Sequence, residues 1–202
     1  MEPVTSLDQY RRKAARRSRA TGRPALYFDL ASPYTYLAAE RADRMFPGLE
    51  WVPASSDALQ CASAIADDER ATIDRRAALL NLPIVWPIGP APRADGAMRV
   101  ASLAAQRGVG AAFVLAASRL VYCGGFDLDD PETLAEAAAA AGIDLGEMLH
   151  AAGDWRRDGP IEEAGRKLLA AGADRLPALR VGRILFCGED RLSEAFAARA
   201  SA

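Results

Sequence analysis

Between Ala25 and Glu40 the spacing of the apolar residues changes. Leu26 to Leu30 is a short, nearly continuous apolar run with the length and composition of a buried strand. After Ala31-Ser32-Pro33 the apolar positions spread to helical spacing, so that Tyr34, Leu37, Ala38 and Met45 share one face as far as about Met45. Ser is a preferred N-cap, and Pro is favoured at the first helical position, where its missing N–H costs nothing. Ser32 is thus predicted at a strand–helix junction, its hydroxyl beside unpaired amides and the positive end of the helix dipole. An anion is stabilised at such a place. Pro47-Gly48 stops the helix, and Leu49-Glu50-Trp51-Val52-Pro53 alternates as a second strand, parallel to the first across a crossover.

A long region with helical periodicity follows. Ala58–Ala66 reads as a weak helix, and Asp67 or Asp68 as the cap of a stronger one through Leu80, closed by Asn81. Leu82 to Pro90 is too rich in proline for regular structure and is predicted as an extended loop. Helices recur at about Ala94–Arg107 and Ala111–Tyr122. Asp130-Pro131-Glu132 opens another, with an acid cap, Pro at the first position and a carboxylate in the first turn, running to Gly142. Leu145–Ala152 and Ile161–Ala171 complete the block. In the tail, Ala178–Val181 and Ile184–Cys187 flank the two-residue turn Gly182-Arg183 as a β-hairpin, and a last helix follows Gly188–Arg191. The order predicts an α/β fold: a thioredoxin-like core (β-α-β … β-β-α) with a large all-helical insertion. The expected divisions are a basic leader at 1–23, the core at 24–57 and 172–202, and the helical insertion domain at 58–171.

Composition narrows the function. Half of the 202 residues are hydrophobic and about a quarter are charged, as in an ordinary globule. The net charge of −2 conceals a leader with seven arginines and lysines against Glu2 and Asp8, hence +5, leaving −7 for the rest. The leader has no apolar centre and only Tyr10 to stack on a base, so it reads as a solvated arm, with neither a secretory signal nor nucleic-acid binding expected. No apolar run approaches a membrane span, and a cytoplasmic location is expected. Lysine occurs only as Lys13 and Lys167 beside abundant Arg and Ala, as in GC-rich bacterial genomes. Cys61, Cys123 and Cys187 lie far apart with no Cys-x-x-Cys, which argues against two-cysteine redox chemistry; each reads as a small packed residue. With His150 as the one histidine, reading as a helix-surface or packed residue, no metal cluster or Ser-His-Asp triad is expected.

Two stretches carry a family resemblance: Tyr27-Phe28-Asp29-Leu30-Ala31-Ser32-Pro33-Tyr34-Thr35-Tyr36-Leu37 and Arg175 through Leu192. They resemble the DsbA-like thioredoxin-fold superfamily, and within it the branch of 2-hydroxychromene-2-carboxylate isomerase and kappa-class glutathione transferase. There Ser-Pro-Tyr-x stands in place of Cys-x-x-Cys, as in Ser32-Pro33-Tyr34-Thr35. The resemblance is specific over about 25–54 and 172–196, loose in the helical block, and excludes the leader. It implies that Ser32 hydrogen-bonds a bound thiol sulfur and holds it as thiolate, and that Pro177 is the cis-proline of the core. It further implies that the Leu176 backbone pairs with the thiol's cysteine unit, and that Glu189 and Asp190 hold its γ-glutamyl end. Tyr34 and Trp86 are candidates to line an apolar substrate pocket, with packing the alternative for each.

The implied cofactor is glutathione or another low-molecular-weight thiol, and the implied partners are a small-molecule substrate and a second copy of the chain. The implied activity is a thiol-dependent isomerase acting on an aromatic or conjugated small molecule. A kappa-like glutathione transferase, or a redox-inert small-molecule binding protein of the same fold, is the alternative. Two departures from the branch stand out. Its Gly-Asn-x-Pro loop and basic residue after the second strand are replaced by Pro53 to Gln60, and Cys187 stands where a bulky aromatic is usual.

Overall fold

The computed structural model describes residues 22–60, 66–87 and 94–200. The basic leader to residue 21, residues 61–65 of the expected Ala58–Ala66 helix with Cys61, and the end of the proline-rich loop at 88–90 lie outside them; residues 58–60 of that expected helix form a turn, with Gln60 at a φ of 60°.

Strand β1 (Ala25–Phe28) leads to helix α1 (Pro33–Met45) and strand β2 (Glu50–Pro53). The helical block comprises α2 (Asp67–Leu79), α3 (Asp95–Gln106), α4 (Gly110–Tyr122), α5 (Pro131–Ala140), α6 (Leu145–Gly153) and α7 (Asp158–Ala170). Strands β3 (Ala178–Val181) and β4 (Ile184–Cys187) form the hairpin, and a 3₁₀ turn at Glu189–Arg191 feeds α8 (Leu192–Ala200). The sheet order is β2-β1-β3-β4, with β1 parallel to β2 and antiparallel to β3.

The α5 cap is as predicted: the Asp130 carboxylate accepts from the Glu132 amide at 3.1 Å and from the Thr133 hydroxyl at 3.0 Å. These bonds hold the Asp130 carboxyl below the usual carboxylate range. Two helix starts differ from expectation. Ala66, and neither aspartate after it, is the N-cap of α2. Helix α7 begins at Asp158, before Ile161, because Gly159 and Pro160 fall in its first turn, where proline's absent donor is not needed. Asn81, with φ of 55°, turns the chain out of α2.

Alternation along the strands divides the core between the two faces of the sheet. Leu26, Phe28, Trp51, Leu179, Val181 and Phe186 join α1, α3, α4, α5 and α8 in one continuous apolar cluster reaching Met148 of α6. The Phe28 and Trp51 rings meet edge to face at 6.0 Å. The opposite face holds a smaller cluster of Ala54, Leu59, Leu168, Ala173, Leu176 and Ala178, closed by α7. None of the helices, among the described residues, is long and apolar enough to cross a membrane.

Helix α7 sits close enough to the segment after β2 to need a glycine. A Cβ on Gly165 would lie 2.6 Å from the Ser55 carbonyl oxygen and 2.9 Å from Ala58 Cβ. Gly165→Ala should therefore lower stability by about 1–3 kcal/mol through overpacking, even against the ~1 kcal/mol gain in helix propensity. Urea denaturation checks this; an unchanged or raised midpoint would contradict the close approach.

Candidate functional site

The site is built on the turn from β1 into α1. The Asp29 carbonyl accepts from the Ser32 amide at 3.1 Å and from the Thr35 hydroxyl at 2.6 Å. Its carboxylate accepts from the Ala31 amide and, across to the segment after β2, from the Ser56 amide, both at 3.0 Å. From above, the Tyr122 hydroxyl of α4 donates to the Ala31 carbonyl at 2.7 Å, and burial raises that phenol's pKa, so it remains a donor. From α3, Met98 Sδ accepts from the Leu30 amide at 3.4 Å. Three separate segments, with Thr35 of α1 itself, thus hold a four-residue turn in place.

Ser32 is the half-buried N-cap of α1, with extended backbone (φ −90°, ψ 122°), and Pro33 is the first helical residue. The expected capping bond is not made: the Ser32 side chain takes no part in capping. The Thr35 amide goes instead to the Ser32 carbonyl at 3.0 Å, and Pro33 has no amide to offer. The hydroxyl is left at the helix N-terminus without its usual structural task.

The Leu176–Pro177 peptide is cis. The β1–β3 ladder ends with Tyr27 opposite Ala178, so Leu176 and Pro177 lie beyond the last pair, beside the departure of the Ser32 turn. The Pro177 carbonyl accepts from the Gly188 amide at 2.8 Å, which ties this loop to the 3₁₀ turn carrying Glu189 and Asp190. A Cβ on Gly188, whose φ is 98°, would collide with Asp190 and Arg175.

Glu189 is only 4% exposed, and its carboxylate is taken by two arginines that sequence reasoning did not assign to the site. Arg41 of α1 meets it at 2.9 Å, and Arg76 of α2 meets it at 2.5 Å through Nε. The hydrogen bond to Glu189 raises the pKa of Arg76. The solvent-facing acid of this turn is Asp190, 3.8 Å from Arg175. Arg175 also donates to the Cys187 carbonyl at 3.4 Å. Tyr34 donates to Glu69 of α2 at 3.1 Å; burial, and next the Glu69 charge, push its phenol up to about 12. Glu189 and Arg175 also act on Tyr34 electrostatically, so Tyr34, two residues after Ser32, shares one neighbourhood with Glu69, the Glu189 clamp and Arg175.

Trp86 stands apart from that network. Its Nε1 donates to Asp74 at 2.9 Å, and the Arg70 guanidinium lies 5.0 Å from its ring centroid. Helical spacing puts Glu69 and Arg76 on one side of the buried Ile73–Ala77 stripe of α2, and Arg70 and Asp74 on the other. Tyr34 and Trp86 therefore flank α2 from opposite sides. Cys187, half-buried on the α7 side of the sheet, has its thiol pKa pushed up by burial. Cys123 donates to the Tyr36 hydroxyl at 3.1 Å, and that hydroxyl donates to the Pro83 carbonyl at 2.6 Å. His150 is exposed on α6. Among the described residues no cluster of His, Cys, Asp or Glu is arranged to hold a metal.

Arg41 had one sequence signal: it follows Tyr34 and Ala38 on the buried stripe of α1. A guanidinium there needs an acid, but the sequence does not say which. Glu189→Gln leaves two guanidinium groups facing a neutral amide and should cost about 3 kcal/mol in urea denaturation, the low end for a broken buried pair because both arginines keep some solvent. A loss below 1 kcal/mol would show that Glu189 is no clamp. Tyr34 contributes stability that is complete below pH 10 and lost as pH rises towards 12, because the unfolded phenol ionises first. The stability of Tyr34→Phe should fall less steeply than wild type over that window.

No family model matches the chain, and no curated protein is similar to it in sequence. Solved structures do match. A 2-hydroxychromene-2-carboxylate isomerase aligns over 89% of this chain and 95% of its own, with TM-score 0.75 and 18% identity. A probable DsbA oxidoreductase from Streptomyces coelicolor aligns over 89% and 88%, with TM-score 0.69 and 20% identity. With its mixed sheet and its helices inserted between β2 and β3, the chain has the DsbA-like thioredoxin fold.

Proposed function

We propose that this protein is a thiol-dependent isomerase of the 2-hydroxychromene-2-carboxylate isomerase type, acting on an aromatic or conjugated small molecule. The observation that carries the reading is the Ser32 hydroxyl, held at the N-terminus of α1 and unused as a cap. A thiol of pKa about 8.5 ionises more readily beside a helix N-terminus, and a hydroxyl donor favours the charged form further.

The residues fit glutathione unevenly. Ser32 fits the sulfur, and Leu176, outside the β ladder, fits an extended peptide backbone. Glu189 does not fit an ammonium group, since its carboxylate is committed to Arg41 and Arg76. That role falls to Asp190. A bound thiolate would supply a nucleophile that adds reversibly to a conjugated carbonyl compound and makes its double bond rotatable. The protein's own part is to keep the sulfur deprotonated through Ser32 and the α1 amides. Tyr34, neutral until well above physiological pH, offers a polar rim without a competing phenolate. The transferase alternative uses the same residues and differs in leaving the thiol attached to product. The commitment of Glu189 to two arginines, with the replacement of the branch's loop after the second strand by Pro53 to Gln60, favours a binding protein without glutathione.

Thermal-shift titration separates these readings, since a ligand that binds only the native state raises its melting temperature. Glutathione or another small thiol should raise it in wild type; no shift with any thiol would remove both thiol-dependent readings. Ser32→Ala should cost less than the ~1 kcal/mol of a capping serine, while turnover of a conjugated enone drops at least tenfold. Equal turnover in the two proteins would end the assignment.

A further inference from the structure

A cavity of about 990 Å³ lies on the face of the sheet opposite α1, and shares no lining residue with the Ser32 neighbourhood. Its size falls at the upper end for small-molecule sites. Val52 of β2, Leu185 of β4, and Ala164 and Leu168 of α7 give it an apolar lining, and Tyr27 of β1 adds an aromatic ring. The register explains the grouping. Val52, Tyr27 and Ala178 are neighbours across β2, β1 and β3, while Glu50, Ala25, Arg180 and Leu185 form the adjacent row. All point to the face that α7 covers only in part.

The charges in this cavity are unequal in their availability. Glu163 is engaged by Arg166 at 3.1 Å and Lys167 at 3.5 Å, and Glu162 by Arg166 at 3.2 Å, so these two acids and two bases cancel. Glu50 lines the β2 side, two strands away from Arg180. Arg180 and Arg183 form no ion pair among the described residues. The Arg180 guanidinium carbon lies 5.7 Å from the Tyr27 ring centroid, within cation–π reach. With no carboxylate paired to it among the described residues, its N–H fork can answer an anion. Arg183, in the hairpin turn, brings a second cation to the same side.

We propose that this cavity is a second small-molecule site, taking an aromatic or extended apolar acid whose carboxylate is held by Arg180 and Arg183 while its body lies over Tyr27, Val52, Leu168 and Leu185. The site is independent of any chemistry at Ser32. Charge sets its selectivity: a neutral analogue of equal shape fills the same apolar space but leaves both guanidinium groups unanswered.

The test is isothermal titration of biphenyl-4-carboxylate and its neutral carboxamide into the full chain. Wild type should bind the acid with one-to-one stoichiometry and at least tenfold more tightly than the amide. Arg180→Gln/Arg183→Gln alters only exposed side chains and should keep its melting temperature, yet bring the two affinities within a factor of two. Ser32→Ala should bind the acid as wild type does, which separates this site from the proposed thiol site whether or not that reading holds. Two outcomes would overturn the proposal: no saturable binding of the acid at millimolar concentration, or an acid preference that survives in the double arginine variant.

Discussion

A carboxylate buried between two guanidinium groups is the constraint on which the site depends. Taking Glu189 out of water costs several kcal/mol, and its attraction to Arg41 and Arg76 offsets that only when all three are in place. The three side chains come from α1, α2 and the turn after β4, which are far apart in sequence. Their meeting fixes the turn that carries Asp190 relative to the helix that begins at Ser32. It also anchors the inserted helices to the sheet, and the Tyr34–Glu69 bond makes a second link between α1 and α2. Such an arrangement specifies geometry more than it adds stability.

The Ser32 turn follows a different logic. No residue in it is ionically clamped, yet its backbone polar groups are claimed by the Asp29 carboxylate, Tyr122 and Met98, and that carboxylate is itself held by the Ser56 amide. Buried amides and carbonyls demand partners, and here they come from the turn's own aspartate, α4 and α3. The helical insertion is therefore part of the site's support, as the continuous cluster from Leu26 to Met148 also requires. With the backbone satisfied by other groups, the one hydroxyl at the helix mouth has no structural task to perform.

The same division of labour explains the two faces of the sheet. The α1 face carries the larger apolar cluster, closed by helices, while α7 covers the opposite face in part, pressing closest at the Ser55 end through Gly165. The cavity beside Arg180 and Arg183 is what remains at the other end.

Much of this was legible in the residues. The change of apolar spacing at Ser32, the Asp130-Pro131-Glu132 start and the Gly182-Arg183 turn are local signals, and local signals survive folding: the elements they mark stand within a few residues of where they were expected, while the weakly patterned start of the Ala58–Ala66 stretch is a turn. The order of those elements is enough to define the sheet, because a parallel β-α-β unit and a two-residue hairpin each allow few arrangements. What the residues alone did not settle was who answers whom. Glu189 reads as an open acid in an exposed turn, and Ser32 reads as a cap; neither Arg41, Arg76 nor the Thr35 amide is near enough in sequence to Glu189 or specific enough to say otherwise. Partner choice for a charge or a hydroxyl is a property of distance in space, so only the tertiary structure decided that Glu189 is occupied and the Ser32 hydroxyl is not.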